Sequence, residues 1–303
     1  MKELTIICPI YNEEECIPIF IKKIKELEKK LSYNYILNIY FSNNSSTDNS
    51  YKIIKEYSEK YNNIFYFTLS KNFGYQNSLI YSLKNVKGDL FIIIDVDGED
   101  PPEMILDFVK NYEKGYDIVY GQRIDRKENY LIKQSRKIFY RILKFFSDDE
   151  IILDMAEFSI FTDEVRLSII DELNSFPFLR SSIAKVGYNS LSIPYVREKR
   201  VSGKSNYSFV NMFKFAIAGI LSSTTWPLRI PIYIFPIWTI YFFYILVNFI
   251  YETDFDYIKM FLIITSYMAI FVLTFLSVYL ARLYKNSLAR SNAYIIKKKS
   301  KLK

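Results

Sequence analysis

Two aspartates, Asp95 and Asp97, follow an apolar segment that predicts a buried strand over Leu90–Ile94, and Glu99 lies two residues further on. Carboxylates brought together at the end of a strand repel one another unless a cation lies between them. Their hard oxygen atoms suit Mg²⁺ or Mn²⁺, with substrate phosphates completing the coordination. The pattern therefore predicts a divalent metal on Asp95, Asp97 and Glu99, although an acidic turn that begins a helix is an alternative.

Three further polar segments each follow a predicted strand. They are Cys8–Glu13, Asn43–Asp48 and Lys71–Gly74. Because the carboxyl ends of parallel strands lie at one edge of a sheet, these segments are expected to meet the two aspartates in one crevice. Helix N-termini at that edge favour anionic ligands such as phosphates. Taken alone, each segment is equally typical of a turn or a helix cap, and Asp48 fits an N-cap.

Alternating apolar and helical segments predict the elements that position these residues. Short apolar strands are predicted at Leu4–Ile10, Tyr35–Phe41, Ile64–Leu69, Leu90–Ile94 and Ile118–Tyr120. Helices are predicted between them at Asn12–Leu31, Tyr51–Tyr61 and Tyr75–Val86. Strands that alternate with helices favour an α/β domain with a mostly parallel sheet.

The chain contains no histidine among its 303 residues. This excludes a histidine base, Ser-His-Asp and Cys-His triads, and zinc bound through imidazole. The two cysteines, Cys8 and Cys16, are interpreted as small apolar side chains in a reducing compartment, without a structural disulfide. Any metal is therefore expected on oxygen ligands.

Positive charge is concentrated at the C-terminal end. Residues 282–303 contain eight lysines or arginines and no acid, so the rest of the chain is close to neutral despite a formal net charge of +7. A nucleic-acid-binding domain would spread its lysines and arginines over one face, which argues against nucleic acid as a partner. A basic tail is typical of a segment that attaches to an anionic lipid surface.

Residues 230–250 and 260–281 contain no charged side chain. Each is long enough as a helix to cross a bilayer core of about 30 Å, and two buried core helices are the alternative. The linker Tyr251–Lys259 is acidic and the following tail is basic, so the positive-inside rule predicts both termini in the cytoplasm. The start of the chain favours a strand rather than a cleavable signal.

Two other stretches are predicted to lie at a membrane surface. Leu131–Phe146 has the pattern of a basic amphipathic helix, although a helix packed on the sheet with a solvated basic face would share it. Phe209–Leu221 is almost wholly apolar, with Lys214 as its one charge, and lies just before the first candidate span.

Together, the motifs resemble those of family 2 glycosyltransferases with the GT-A fold. Within that family the chain is similar to the polyprenyl-phosphate sugar transferases, which include the bactoprenol glucosyltransferases and dolichyl-phosphate mannose synthase. The matching segments are Pro9–Glu13, Lys71–Gly74, Asp95–Pro102, Gly121–Arg123, Arg200–Tyr207 and Trp226–Arg229, so the resemblance extends over essentially the whole chain.

The resemblance implies a cytoplasmic catalytic domain with a GT-A, Rossmann-like sheet over residues 1–207. An interfacial connector over 208–229, transmembrane helices over 230–250 and 260–281, and a basic cytoplasmic tail over 282–303 would follow. It also implies a multi-pass protein of the bacterial inner (cytoplasmic) membrane. Such an enzyme would move a sugar, with inversion, from a nucleotide diphosphate sugar to polyprenyl (undecaprenyl) phosphate. UDP-glucose is the leading candidate donor; the sugar, the base, the lipid and a homo-oligomeric state stay open.

The same resemblance assigns roles to individual side chains. The nucleotide sugar would contact Pro9, Tyr11, Asn12, Glu13, Asn43, Asn44, Lys71 and Asp95, and Mg²⁺ or Mn²⁺ would bind Asp95, Asp97 and Glu99. The acceptor phosphate is already ionised near neutral pH, so it needs cations rather than a strong base. The candidate cations are Arg123, Arg136, Arg200 and Lys204. The candidate catalytic residues are Asp97, Arg123 and Arg200.

The chain departs from the family pattern at several positions. Asn43 and Asn44 stand where two acids are usual, Asn206 replaces a lysine, and Glu157 stands where an aspartate is usual. Two alternatives stay open: a family 2 transferase that extends a membrane-linked glycan, and a non-catalytic, degenerate transferase subunit. The first class typically has more spans and a Gln-x-x-Arg-Trp motif, whereas neither tryptophan of this chain follows an arginine.

Overall fold

A computed structural model describes residues 1–124, 155–172, 179–201, 225–252, 255–287 and 293–303, together with Gln134 and Arg141. These residues form an α/β domain, two long apolar helices and a C-terminal segment that returns to the domain. The predicted fold class is confirmed, because the sheet is mostly parallel and carries helices on both faces.

Seven strands form a single sheet. They are β1 (Lys2–Ile10), β2 (Tyr35–Asn43), β3 (Ile64–Thr68), β4 (Leu90–Ile93), β5 (Ile118–Ile124), β6 (Met155–Thr162) and β7 (Ser190–Val196). Their order in the sheet is β3-β2-β1-β4-β6-β5-β7. All neighbouring pairs are parallel except those of β6, which runs antiparallel to β4 and to β5. The strand order reverses between β1 and β4, and such a switch point opens a crevice at the carboxyl ends of the strands.

Two strands and part of a third were not predicted from the sequence. β6 carries Glu157 within a buried run, and β7 carries Pro194, so neither segment shows the pattern of an ordinary internal strand. β5 continues to Ile124 through Gly121–Arg123, the motif expected to follow a strand over Ile118–Tyr120. At the edge of the sheet, a proline costs less because one side of the strand has no partner, and β7 is an edge strand.

Eight α-helices are described. They are α1 (Cys16–Leu31), α2 (Ser50–Lys60), α3 (Tyr75–Asn85), α4 (Met104–Tyr112), α5 (Asp163–Asp171), α6 (Leu179–Lys185), α7 (Trp226–Glu252) and α8 (Phe255–Ser287). Alternate strand side chains point to opposite faces, so Ile6 enters one core with α1, α2 and α4, whereas Ile7 enters a second core with α3, α5 and α6. Both faces of the sheet are therefore buried, as a mostly parallel sheet requires.

The first helix begins four residues later than the sequence predicted. Asn12 has a φ of +58°, which belongs to the left-handed region, and α1 starts only at Cys16. The main-chain N–H groups of Glu13 and Glu14 donate instead to Ser50 Oγ (2.9 Å) and Asp48 Oδ2 (3.1 Å). The residues after β1 consequently form a turn fixed to the loop after β2.

Two apolar helices follow the described part of the domain. Within α7 and α8, Leu228–Asn248 and Ile258–Ala281 are long and apolar enough to cross a membrane by length and composition. Their outward side chains are largely exposed, and Trp238 and Phe242 contact Phe261 of the other helix. The predicted Phe209–Leu221 segment lies outside the described residues, as does Leu131–Phe146 apart from Gln134 and Arg141.

The last eleven residues lie against β3. Antiparallel bridges join Tyr66 to Lys301 and Leu69 to Ile295. The ammonium group of Lys301 bonds the carbonyl oxygen of Ser58, and Lys303 Nζ lies 2.6 Å from Glu3 Oε1. At Lys301 and Lys303, the tail expected to attach to lipid therefore binds protein.

Candidate active site

The four polar segments predicted to share a crevice do meet at the carboxyl edge of the sheet. The contacts that join them run from Asn12 N to Ser46 Oγ (3.0 Å), from Phe73 N to Asn44 Oδ1 (2.9 Å), and from the Tyr75 hydroxyl to Asp95 Oδ1 (2.9 Å). The crevice lies where the strand order reverses, which is the usual ligand position in an open α/β sheet.

The loop Asp95–Asp100 is held by the chain that follows β7. Val201 N donates to Asp97 O (3.0 Å), and Glu198 N donates to Glu99 O (2.9 Å). Gly98 has a φ of +79°, and a Cβ atom there would lie 2.5 Å from Val201 Cγ2. Glycine is therefore needed at this position both for the turn and for the close approach of Val201.

Each of the three predicted metal ligands has a partner from the protein. Asp95 accepts from Tyr75, Asp97 Oδ2 lies 3.5 Å from Arg200 Nη1, and Glu99 forms an ion pair with Arg197. Among the described residues, no three acidic or cysteine side chains are arranged as one metal-binding group. Glu99 is paired with Arg197, and the three-carboxylate metal site stays a prediction.

Asp95 has the electrostatic signature of a cation-binding carboxylate. Burial, together with the charges of Asp97, Asp100 and Glu157, raises the pKa of Asp95 to about 8. A divalent cation would relieve this repulsion and hold Asp95 ionised. Two carboxylates, with the remaining positions filled by water and phosphate oxygens, are a usual protein contribution to a Mg²⁺ site. Asp95 and Asp97 thus fit a metal ion that a phosphate-bearing substrate helps to hold.

Arg200 joins two of the predicted motifs. Its guanidinium group forms ion pairs with Glu13, after β1, and with Asp97, after β4. Burial raises the pKa of Glu13, and the charge of Arg200 opposes that rise. The side chain of Arg200 is 24% exposed, so this cation remains accessible from the crevice.

Arg123 lies beneath the loop Asp95–Asp100, here called the carboxylate loop, rather than on its open side. Its Nε donates to the Tyr195 hydroxyl (3.1 Å), and its Nη2 lies 3.5 Å from Asp100 Oδ2. Arg197 Nε is 3.3 Å from the other carboxylate oxygen of Asp100. Asp100 is 2% exposed and the side chain of Arg123 is 10% exposed, so this pair is almost sealed from solvent, whereas the side chain of Arg197 is 34% exposed. Sequence reasoning missed Tyr195 and Arg197, which lie on and just after the unpredicted strand β7.

Asn43 and Asn44 brace the loops around them. Asn43 Oδ1 accepts from Ser46 N (3.0 Å), and Asn43 Nδ2 donates to Thr68 Oγ1 (3.3 Å). Asn44 Nδ2 donates to Asn72 Oδ1 (2.9 Å). Both asparagines are buried, and their amides use donor and acceptor atoms at once, which a pair of carboxylates could not do.

The other predicted donor-binding residues differ in accessibility. Pro9 is buried near the end of β1 opposite Ser42, whereas Tyr11 is half-buried. Lys71 is exposed, with its ammonium group 5.1 Å from the centroid of the Phe73 ring. Asn12 is also exposed, and its Oδ1 accepts from Thr47 N (2.8 Å).

Glu157 is a further acid beside the crevice. It lies on β6, is 5% exposed, and forms an ion pair with Arg180 and a 3.3 Å hydrogen bond with Gln76 Nε2. Burial alone would raise the pKa of Glu157, but Arg180 and Arg123 outweigh it and the pKa is lowered. In the sequence, the signal that could have identified Glu157 as a site residue is an acid inside an apolar segment. The two remaining predicted cations, Arg136 and Lys204, lie outside the described residues.

The domain that carries this crevice at the switch point of its sheet matches a family of glycosyltransferases. The model of glycosyl transferase family 2 matches residues 5–166, more than half of the chain. The chain belongs to glycosyl transferase family 2 and is a glycosyltransferase. The resemblance drawn from the motifs is thereby confirmed.

The chain is also similar to individual proteins, two by sequence and one by structure. A prophage bactoprenol glucosyl transferase homolog of Escherichia coli is 30% identical over 77% of this chain and 76% of its own length. The bactoprenol glucosyl transferase of Shigella phage SfX is 31% identical over 77% of this chain and 76% of its own length. Glucosyl-3-phosphoglycerate synthase of Mycobacterium tuberculosis, solved with Mn²⁺, uridine diphosphate and phosphoglyceric acid, is 16% identical with a TM-score of 0.49, covering 73% of this chain and 78% of that one.

Proposed function

We propose that this glycosyltransferase moves a hexose from a nucleotide diphosphate sugar to a polyprenyl phosphate at a membrane surface. The observation that carries the proposal is the pair Asp95 and Asp97 at the switch-point crevice of a chain that continues into two exposed apolar helices. Relatives named bactoprenol glucosyl transferases, aligned over 77% of the chain, support a lipid-carrier acceptor and glucose as the sugar.

Asp95 and Asp97 would hold Mg²⁺ or Mn²⁺ together with the donor pyrophosphate. When bound, the metal supplies positive charge for the departing nucleoside diphosphate. Tyr75 orients Asp95 by donating to its Oδ1. Arg200 neutralises Glu13 and Asp97 in the absence of substrate, so its guanidinium group is ready to contact a phosphate that enters between them.

The acceptor needs positioning more than it needs a base. A phosphate monoester has a second pKa of about 6, so its oxygen is ionised at neutral pH and can attack the anomeric carbon directly. Arg200 is the described cation best placed to hold it, and Arg136 and Lys204 complete the proposed set. Because Arg123 binds Asp100 and Tyr195, we assign Arg123 a positioning role beneath the carboxylate loop instead of a contact with the phosphate.

The position of the C-terminal segment supports a hairpin through the membrane. Residues 293–303 follow α8, yet they contact β3 of the domain that precedes α7. If α7 and α8 both cross the bilayer, the chain returns to the side on which it started and this contact can form. The acidic linker and basic tail favour the cytoplasmic side for the domain.

The test uses the full-length protein purified in detergent, with Mn²⁺, undecaprenyl phosphate and a panel of UDP-, GDP- and CDP-sugars. Mass spectrometry is expected to detect the carrier plus one hexose, and the productive donor identifies the base and sugar. Asp97→Asn should abolish this product, whereas Asp107→Asn, on an exposed position of α4, should not. Folded protein that yields no lipid-linked sugar from any donor would overturn the proposal.

A further inference from the structure

The C-terminal segment, residues 293–303, pairs with β3 through its main chain. Lys301 N donates to Tyr66 O (2.7 Å), Tyr66 N donates to Lys301 O (2.9 Å), and Ile296 N donates to Thr68 O (2.8 Å). Side chains reinforce this pairing, since the Lys299 ammonium group lies 5.4 Å from the Tyr51 ring centroid. The segment is therefore attached at Tyr66 and Thr68 of β3 and beside Tyr51 of α2, and not at a single point.

The attachment continues past β3 into the loop Ser70–Gly74. Ser70 N donates to Tyr294 O (2.8 Å), and the rings of Tyr294 and Phe73 lie 6.2 Å apart between centroids. Ala293 is 1% exposed and belongs to the core shared with α3 and α5, and Ile295 packs against that core. The start of the segment is thus buried beside the loop.

The same loop faces the crevice from its other side. Phe73 N donates to Asn44 Oδ1 (2.9 Å), and Asn44 Nδ2 donates to Asn72 Oδ1 (2.9 Å). Gly74, with a φ of +86°, then leads into α3, whose first residue, Tyr75, bonds Asp95. A continuous set of contacts consequently links Tyr294 to the carboxylate loop.

We propose that residues 293–301 hold the loop Ser70–Gly74 in its donor-binding conformation, with Tyr294 as a positioning residue. This inference rests on the proposed function, because it assigns the loop to the nucleotide sugar. A loop ordered before binding spares the ligand the conformational cost of ordering it, and so increases affinity. The segment that follows the second apolar helix is in this way part of the donor site, although it lies far from the crevice motifs in sequence.

Tyr294→Ala in the full-length protein tests the inference, with Tyr33→Ala as the matched control. Tyr33 is 91% exposed in the turn between α1 and β2, away from the loop. Tyr294→Ala removes the ring contact with Phe73 and keeps the main-chain hydrogen bond to Ser70, so it is expected to raise KM for the donor about three- to tenfold with kcat changed by less than about twofold. Tyr33→Ala should change neither constant.

Hydrogen exchange supplies a readout that does not depend on activity. The Phe73 amide bonds Asn44 and not the tail, so faster exchange at Phe73 in Tyr294→Ala would report a loosened loop. Ala293→Asp, which places a charge in the buried position, should give the same result by displacing the segment. Tyr33→Ala, outside the segment and the loop, is again the control.

The outcomes separate the two proposals. Wild-type protein that forms no lipid-linked sugar contradicts the proposed function, and the exchange measurement then still decides whether the tail orders the loop. If wild-type protein forms product but KM and Phe73 exchange in Tyr294→Ala match those of Tyr33→Ala, the inference is wrong. A fall in kcat at unchanged KM would also overturn it, because that result indicates a loss of folded protein rather than a loosened donor site.

Discussion

Two arginine–carboxylate clusters lie three residues apart on the same loop and differ in access to solvent. The side chain of Asp97 is 12% exposed, and its partner Arg200 is 24% exposed. Asp100 is 2% exposed and binds Tyr195 and Arg123, whose side chain is 10% exposed, while the more exposed Arg197 contacts it from the rim. The residue types are alike, but only the open cluster can exchange its internal partners for a ligand. Burial thus separates a group fit for catalysis from a group that stabilises the fold.

The largest effect is expected from the open cluster. Asp97→Asn should lower the rate of lipid-linked sugar formation at least about 10³-fold, equivalent to about 4 kcal/mol of lost transition-state stabilisation, because one of two metal-binding carboxylates is removed. The melting temperature should stay close to that of wild type. Initial rates followed by mass spectrometry, with Asp107→Asn as control, check this prediction, and a variant with a tenth of wild-type activity would contradict it.

The corresponding change in the sealed cluster should act on stability. Asp100→Asn leaves the charge of Arg123 buried without its carboxylate partner, which is expected to lower the free energy of unfolding by about 3–5 kcal/mol. Urea unfolding of the purified protein measures the loss. Adding Arg123→Met to Asp100→Asn should recover part of it, and a double variant less stable than Asp100→Asn alone would show that the two residues are not coupled.

A conservative change sharpens the comparison. Arg200→Lys keeps the positive charge but loses the planar fork that reaches both Glu13 and Asp97, so activity should fall about 10- to 100-fold at nearly unchanged stability. Arg123→Lys, in the sealed pair with Asp100, should instead lower the melting temperature more than Arg200→Lys does. Rates and melting curves recorded on the same preparations distinguish these effects, and equal losses of stability would contradict the assignment.

The smallest effect concerns pH. The pKa of Asp95 is raised to about 8 by burial and by its acidic neighbours, so a metal must displace a proton below that pH. The apparent affinity for Mn²⁺ should therefore fall about tenfold for each pH unit below 8 and level off above it. Calorimetric titration with MnCl₂ between pH 6 and 9 checks this, and an affinity independent of pH would contradict it.

The crevice and its carboxylates could be predicted because their signals are local. Leu90–Ile94 is apolar without interruption and Asp95 follows directly, so strand, edge and charge are all visible in one short segment. The loops after β1, β2 and β3 follow the same pattern. In a parallel sheet, a series of strands that each end in a polar loop is enough to bring residues that are far apart in sequence to one edge.

The partners of those carboxylates could not be predicted, because they depend on long-range packing. Tyr195 and Arg197 reach Asp100 from β7, whose Pro194 obscures the strand pattern. The contact of residues 293–303 with β3 could not be predicted for a different reason. Their contacts with β3 are main-chain hydrogen bonds, which leave no side-chain signature, and their lysines are also typical of a solvated or lipid-bound tail.

The pairing of residues 293–303 with β3 also bears on aggregation. β3 lies at one end of the sheet, and the N–H and C=O groups of Tyr66 and the C=O group of Thr68 would otherwise face outward. An uncovered strand of this kind is a template for β-pairing between molecules. The tail already bonds those groups within its own chain, so they are not available to pair with a strand of a second molecule.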